Sequence, residues 1–182
     1  MKPIGPLMWE HRLIEEMLKK VEEEIGNIRQ KRRFNPVFID TVVDFIRIYA
    51  DRTHHGKEED ILFKALEGKP LSADHKLIMD ELITEHVYSR QTVARLVAAK
   101  EQYVTGNETM LEEVVEILLK LASFYPEHIK KEDKAFFFPV MEYFTAEEQQ
   151  EMLQAFREFD RKMIHEKYRR VLDSLQHYSV LT

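Results

Sequence analysis

Cysteine is absent from this chain of 182 residues. Its absence excludes disulfides, thiolate metal sites, iron–sulfur clusters and a cysteine nucleophile. Any metal ion must therefore be bound by nitrogen and oxygen atoms, a donor set that suits iron, manganese or zinc. Glycine is also scarce, with five residues, and no linker interrupts the chain. The sequence thus predicts one domain over residues 1–182.

Two further classes of protein have no support in the sequence. The net charge of −6 gives no reason to expect nucleic-acid binding. No apolar run approaches the roughly 20 residues that a membrane-spanning helix requires. The first residues, MKPIGPLMWEH, lack the apolar core of a signal peptide. We therefore expect no nucleic-acid partner, no membrane partner and a cytoplasmic location.

Apolar residues recur at helical intervals almost throughout the chain, without the alternation typical of β-strands. Asn35-Pro36 is a helix start signal, Gly106-Asn107 separates two helical patterns, and Thr145-x-x-Glu148 is a capping box. The sequence therefore predicts an all-α fold. We expect an antiparallel up-down four-helix bundle over about residues 7–143, with an additional C-terminal fifth helix over about residues 145–177.

The pattern H-x-x-x-E occurs twice in this helical chain, as His54/Glu58 and as His128/Glu132. A spacing of four places both side chains on one face of a helix, one turn apart. An imidazole and a carboxylate so placed can bind one metal ion. Two such pairs on facing helices can hold two ions in the core of a bundle.

The first pair has a competitor, because His55 and Glu59 are also four residues apart. An internal repeat favours His54/Glu58: aligning KEEDILF with KEDKAFF matches Glu58 to Glu132 and His54 to His128. The apolar stripe that precedes His54 agrees with this register. We expect His55 and Glu59 to face solvent or to lie behind the ligands, and the choice between the two pairs stays open.

Each of the first four predicted helices carries one histidine on its apolar stripe, and His11 and His86 complete that set. A single core histidine is usually held by hydrogen bonds alone. Four of them with two matched glutamates predict a metal site. The ligands must meet at one depth, and His86 meets the others only if its helix is staggered. Four imidazoles and two bridging carboxylates would not saturate two six-coordinate ions, so positions stay open for a small ligand.

The order H … HxxxE … H … HxxxE, with the segments HHGKEEDILF and ITEHVYSR, resembles the hemerythrin-like, or HHE cation-binding, family over about residues 7–143. The resemblance implies two non-haem iron ions, for which manganese or zinc could substitute, with an oxo or hydroxo bridge. Respiratory hemerythrins use a fifth histidine one turn from that of the third helix, where this chain has Leu82 and Arg90. The chain thus resembles the subgroup with four histidines and two glutamates. The implied iron ligands are His11, His54, Glu58, His86, His128 and Glu132.

The functional hypothesis is a di-iron protein that binds or reacts with O2, H2O2 or NO. If it is an enzyme, it is an oxidoreductase directed at peroxide or NO. The alternative is a non-enzymatic iron or oxygen sensor, or an iron store, in which metal occupancy controls stability or partner binding. The sequence does not identify a protein partner. Three residues have open roles: Glu15 is expected to form a salt bridge, Tyr125 to lie in the core, and His165 could reach the end of the bundle.

Overall fold

The computed structural model describes the backbone of residues 2–178 and the side chains of residues 2–163. Five helices follow one another along this part of the chain, and no strand occurs in it. We number them α1 (Ile4–Lys31), α2 (36–67), α3 (Ala73–Val104), α4 (110–143) and α5 (Ala146–Tyr178). The all-α fold predicted from the sequence is confirmed. None of these helices is long and apolar enough to cross a membrane.

Ion pairs between helix ends show that neighbouring helices run in opposite directions. Arg32, just after α1, pairs with Glu112 at the start of α4. Lys100 near the end of α3 pairs with Asp40 near the start of α2. Contacts join α1 to α2, α2 to α3, α3 to α4, and α4 back to α1. The first four helices therefore form a closed antiparallel bundle, as predicted.

The predicted caps form at the starts of two helices. The Asn35 side chain accepts a hydrogen bond from the backbone N–H of Val37, and Pro36 follows it as the first helical residue. The Thr145 hydroxyl accepts from the backbone N–H of Glu148, while the Glu148 carboxylate accepts from the backbone N–H of Thr145. This reciprocal capping box starts α5.

Two helices are not α-helical throughout. Helix α2 contains π-helical segments at Phe45–His55 and Glu58–Phe63, and α4 contains one at Glu132–Phe136. A π-helical turn holds more residues than an α-helical turn, so a smaller angle separates successive side chains. These segments carry five of the residues singled out by the two HxxxE motifs and their neighbours: His54, His55, Glu58, Glu59 and Glu132. The sequence analysis did not predict these segments, because the motif spacing assumes an α-helix.

The apolar core is divided into two clusters by a polar layer. One cluster packs around Leu18, Val42, Leu96 and Leu118, and the other around Leu7, Leu62, Leu82 and Phe136. In each of the four bundle helices the buried histidine falls between residues of the two clusters. The polar layer is therefore closed off by apolar packing toward both ends of the bundle.

Helix α5 packs against α2 at the level of the polar layer. Phe156 is buried in the second cluster, and Asp160 forms an ion pair with Lys57 at 2.8 Å. Phe159 lies against Gly56, where an added Cβ would be only 2.7 Å from the ring atom Cζ. The absence of a side chain at Gly56 thus permits the close approach of α5 to α2.

The contact between Gly56 and Phe159 can be tested by changing Gly56 to Ala in two backgrounds. Gly56 has α-helical dihedral angles (φ −61°, ψ −40°), so alanine should stabilise a Phe159→Ala protein by about 1 kcal/mol. In the wild-type background the Phe159 ring must move, and the gain should be smaller or reversed. Urea unfolding of the four proteins measures both effects. Equal effects in the two backgrounds would contradict the contact.

Candidate metal centre

The six predicted site residues lie together in the polar layer. Each is at most 2% exposed. The His86 ring, whose depth the sequence left open, reaches the layer, and its centroid lies 5.1 Å from that of His128. The rings of His11 and His54 form the matching pair, with centroids 4.5 Å apart. Four helices thus direct imidazoles to one buried point.

Each glutamate extends between two histidines. One carboxylate oxygen of Glu58 lies 3.5 Å from Nε2 of His54, and the other lies 3.4 Å from Nε2 of His86. The two oxygens of Glu132 lie 3.0 Å from Nε2 of His11 and 3.3 Å from Nε2 of His128. Both carboxylates therefore face two sets of nitrogen atoms at once, as a bridging carboxylate must.

Several of these inward-facing atoms have no hydrogen-bond partner among the described residues. They are both oxygens of Glu58, both oxygens of Glu132, and Nε2 of His86 and of His128. Imidazole nitrogens lie near the oxygens but not in hydrogen-bond geometry. Buried polar atoms are rarely left unpaired, because each unpaired atom costs about 1–3 kcal/mol. A bound cation would satisfy all of them, and the nitrogen and oxygen donors suit iron, manganese or zinc.

The electrostatics of the layer also favour a cation. Burial raises the pKa of Glu58 well above its usual value, and the charge of Glu132 raises it further. Burial would also raise the pKa of Glu132, but His128, His11 and His86 outweigh it and hold this pKa well below the usual value. Two facing buried carboxylates cannot both be ionised cheaply without a positive charge between them.

The histidines differ in their affinity for protons. Burial lowers the pKa of His54 to about 4, against the opposing hydrogen bond to Glu10. Burial also acts to lower the pKa of His11, but the hydrogen bond to Asp133 and the nearby negative charges of Glu132 and Asp133 raise it to about 9. A proton on Nε2 of His11 can thus be donated to Nε2 of His54, which lies 2.8 Å away. Metal binding would displace that proton, because a ligand nitrogen needs its lone pair.

Each of the four predicted histidines donates a hydrogen bond from Nδ1 to a carboxylate on a neighbouring helix. Such a bond fixes the tautomer, orients the ring and makes Nε2 the metal-binding nitrogen. The sequence reasoning allowed a supporting position for Glu59 but did not identify the other three acidic partners, although each adjoins a predicted ligand in the sequence. The pairs are His11 with Asp133 (2.8 Å), His54 with Glu10 (2.9 Å), His86 with Glu59 (2.7 Å) and His128 with Glu85 (2.7 Å).

A cationic side chain pairs with each of these four carboxylates. The cation holds the carboxylate in its ionised form, so the carboxylate can accept the histidine N–H. The pairs are Arg12 with Asp133, Lys57 with Glu10, Arg90 with Glu59 (2.6 Å) and Lys131 with Glu85 (2.5 Å). The negative charge of each of the four supporting carboxylates is therefore matched by one positive charge.

The layer has an approximate two-fold symmetry that follows the internal repeat. Helices α1 and α2 correspond to α3 and α4, so that Glu10-His11 corresponds to Glu85-His86 and Lys57-Glu58-Glu59 to Lys131-Glu132-Asp133. The bonds repeat as well, since His54 donates to Glu10 as His128 donates to Glu85. Aromatic packing follows the same rule: Phe137 stacks on His11, and Phe63 on His86.

Of the two positions expected for His55, facing solvent or lying behind the ligands, the structure excludes the first. His55 is only 1% exposed, and one of its ring nitrogens lies within 4.8 Å of ring nitrogens of His86 and His128. The π-helical turn explains the difference, because it allows the adjacent His54 and His55 to point inward together. Glu59 lies behind His86, in the supporting position that the sequence argument allowed. The four-histidine subgroup is not confirmed and stays a prediction.

The three residues with open roles differ in outcome. Glu15 forms the expected salt bridge, with Arg12 at 3.4 Å. Tyr125 is a core residue as expected; it is 1% exposed, and its hydroxyl is hydrogen-bonded to that of Ser89 at 2.8 Å. The side chain of His165 lies outside the described residues.

The symmetry supplies a matched test of the supporting charges. Lys57 is fully buried and pairs with Glu10 and Asp160, whereas its counterpart Lys131 is 27% exposed. Lys57→Met should cost about 3–5 kcal/mol, since it leaves the buried Glu10 carboxylate without its cation. Lys131→Met should cost about 1 kcal/mol or less, because solvent screens that pair. Chemical unfolding of both variants measures the difference, and similar losses would refute it.

Comparison with known proteins agrees with this geometry. The family model described as the hemerythrin HHE cation-binding domain matches residues 3–137. No significant match is found among curated proteins or among solved structures. The matched region covers most of the chain and ends just after Glu132, the last of the predicted ligands. The chain therefore belongs to the hemerythrin HHE cation-binding domain family, and it is a metal-binding protein.

Proposed function

We propose that the chain is a non-haem di-iron protein that binds or reacts with O2, H2O2 or NO. The observation that carries the proposal is the set of buried Glu58 and Glu132 oxygens that lack hydrogen-bond partners among the described residues and face four imidazoles. Iron suits such donors and can exchange electrons with a small ligand; manganese or zinc could take its place without that reactivity. The six ligands would be His11, His54, Glu58, His86, His128 and Glu132.

The carboxylates would divide the six residues between two ions. One ion would take Nε2 of His11 and His54, the other would take Nε2 of His86 and His128, and each glutamate would give one oxygen to each ion. Two glutamates that bridge in this way would offset the repulsion between the ions. Four donors per ion leave positions open for an oxo or hydroxo bridge and for the small ligand.

The remaining residues of the layer would control the chemistry of the bound iron. The four supporting carboxylates hold each Nδ1–H, so every Nε2 keeps its lone pair for the metal. The two apolar clusters limit the access of water from the ends of the bundle. Phe63 and Phe137 cover one face of His86 and of His11, respectively. Such a dry site would favour small neutral ligands over larger polar ones.

The ligand assignment predicts the metal content of variants. The wild-type protein loaded anaerobically with Fe²⁺ should bind about two irons per chain. His54→Ala and Glu132→Ala should each bind clearly less, because each variant removes a donor and Glu132 would contact both ions. Elemental analysis measures the ratio. Glu81→Ala, which changes a surface partner of Lys131, is the matched control and should keep both irons.

Two irons per chain in both site variants would contradict the ligand assignment. No iron in the wild-type protein, even after anaerobic addition, would sink the proposed function itself. A change in melting temperature on chelation gives an independent reading, since a ligand that binds only the folded state stabilises it.

A specific observation also favours the sensor hypothesis. The His54 ring donates to Glu10, Glu10 pairs with Lys57, and Lys57 pairs with Asp160 of α5. A metal ion on His54 would therefore act on the same chain of contacts that attaches the fifth helix. In this second function, metal occupancy would control the docking of α5, and no turnover would be needed.

One pair of measurements separates the two functions. In a reactive protein, the reduced di-iron form should consume peroxide or NO, with changes in the near-ultraviolet absorption of the iron. In a sensor, loss of metal should increase amide hydrogen exchange in residues 146–163 far more than in α3, with no turnover of either ligand. Exchange that is the same with and without metal would exclude the sensor, and iron that is inert toward O2, peroxide and NO would exclude the reactive protein.

A further inference from the structure

We infer that His55 is a fifth nitrogen ligand, supplied by α2, which binds the ion held by His86 and His128 and makes the two metal positions unequal. This inference rests on the proposed di-iron function. It adds a residue that the HxxxE spacing had assigned to solvent or to a supporting role. It also provides a fifth imidazole from a helix other than α3, where Leu82 and Arg90 occupy the neighbouring turns.

The His55 ring lies beside the rings of His86 and His128. The His55 ring lies parallel to the His86 ring, with centroids 3.8 Å apart and an interplanar angle of 10°. It meets the His128 ring edge-on at 5.6 Å. These three histidines form one group of nitrogen donors, while His11 and His54 form another with the glutamates. One nitrogen of each of the three rings lies within 4.8 Å of the other two, and a rotation of the His55 ring out of the stack would turn its lone pair toward the ion that His86 and His128 hold.

The second observation concerns the nitrogen atoms of the His55 ring. The His55 side chain is only 1% exposed, and an imidazole nitrogen that carries no proton has a lone pair to give to a metal ion. Nδ1 of His55 makes no hydrogen bond with a described residue, and the Asp51 carboxylate, which Arg90 engages, is 3.5 Å away. A buried imidazole nitrogen without a hydrogen bond is costly unless it has another partner.

The internal repeat shows that the second half of the layer lacks a counterpart of His55. The residue that corresponds to His55 in the second half is Ile129, which is buried in the first apolar cluster. Isoleucine offers no lone pair, so only one half of the layer has an extra donor. With His55, the ion near His86 and His128 would have five donors, and the ion near His11 and His54 would have four.

His55 would also be the most weakly held of the five histidines. The other four are oriented by ionised carboxylates, which raise the basicity of the bound nitrogen. For His55 the corresponding carboxylate is that of Asp51, which lies 3.5 Å from Nδ1 and outside hydrogen-bond geometry. The bond of His55 to the metal should therefore be weaker and more easily exchanged than those of His86 and His128.

Mössbauer spectroscopy of protein loaded with ⁵⁷Fe tests the inference without any assay of turnover. Wild-type protein should give two quadrupole doublets of equal area with different parameters, one for each ion. His55→Ile, which copies the residue of the other half, should bring the two doublets together or lower the area of one. His55→Gln, which keeps a polar side chain of similar size, should have the same effect on the doublets. Misfolding of His55→Ile alone would then not explain the result.

The outcome that would overturn the inference is a His55 variant with two irons and both doublets unchanged. In that case His55 would be a stacked core residue, and the di-iron proposal would stand. A wild-type protein without iron would instead remove the di-iron proposal. Ile129→Val is the matched control, because it changes packing at the corresponding position but adds or removes no donor, and its spectrum should equal that of the wild type.

Discussion

The structure depends on two glutamates that face each other in the dry centre of a bundle. Glu58 and Glu132 are fully buried, and no described residue places a hydrogen-bond donor in proper geometry on their oxygens. An isolated pair of buried carboxylates is among the most expensive arrangements in a protein interior. The imidazoles around the pair are then the neutral donors of a site whose positive charge comes from bound metal.

The surrounding charges explain how such a site can exist inside a chain of this size. Each supporting carboxylate belongs to one helix, while the histidine that donates to it belongs to the next helix around the bundle. The four hydrogen bonds therefore form a closed circuit that links α1 to α2, α2 to α3, α3 to α4, and α4 to α1. Ligand orientation and helix packing are consequently fixed by the same contacts, and a change in one affects the other.

Sequence reasoning predicted the helices and proposed six site residues that the fold places together, because both follow from spacing and from the chemistry of side chains. It left His55 either facing solvent or behind the ligands, because a π-helical turn shifts which residues share a face, and no residue in the segment predicts that turn. It did not identify Glu10, Glu85 and Asp133 as supports, and it allowed that position only for Glu59. The signal was present, since each of these acids is next to a predicted ligand, but the pairing across helices requires the fold.

The two-fold arrangement bears on how this fold could have arisen. The hairpin of α1 and α2 holds Glu10, His11, His54 and Glu58, and the hairpin of α3 and α4 holds the corresponding Glu85, His86, His128 and Glu132. Two identical copies of one such hairpin, associated about a symmetry axis, would already contain the complete set of six ligands. Duplication and fusion of a short ancestral gene would therefore suffice to produce this fold, after which the halves could diverge. The histidine at position 55 and the isoleucine at position 129 would then record the divergence of two positions that began as one.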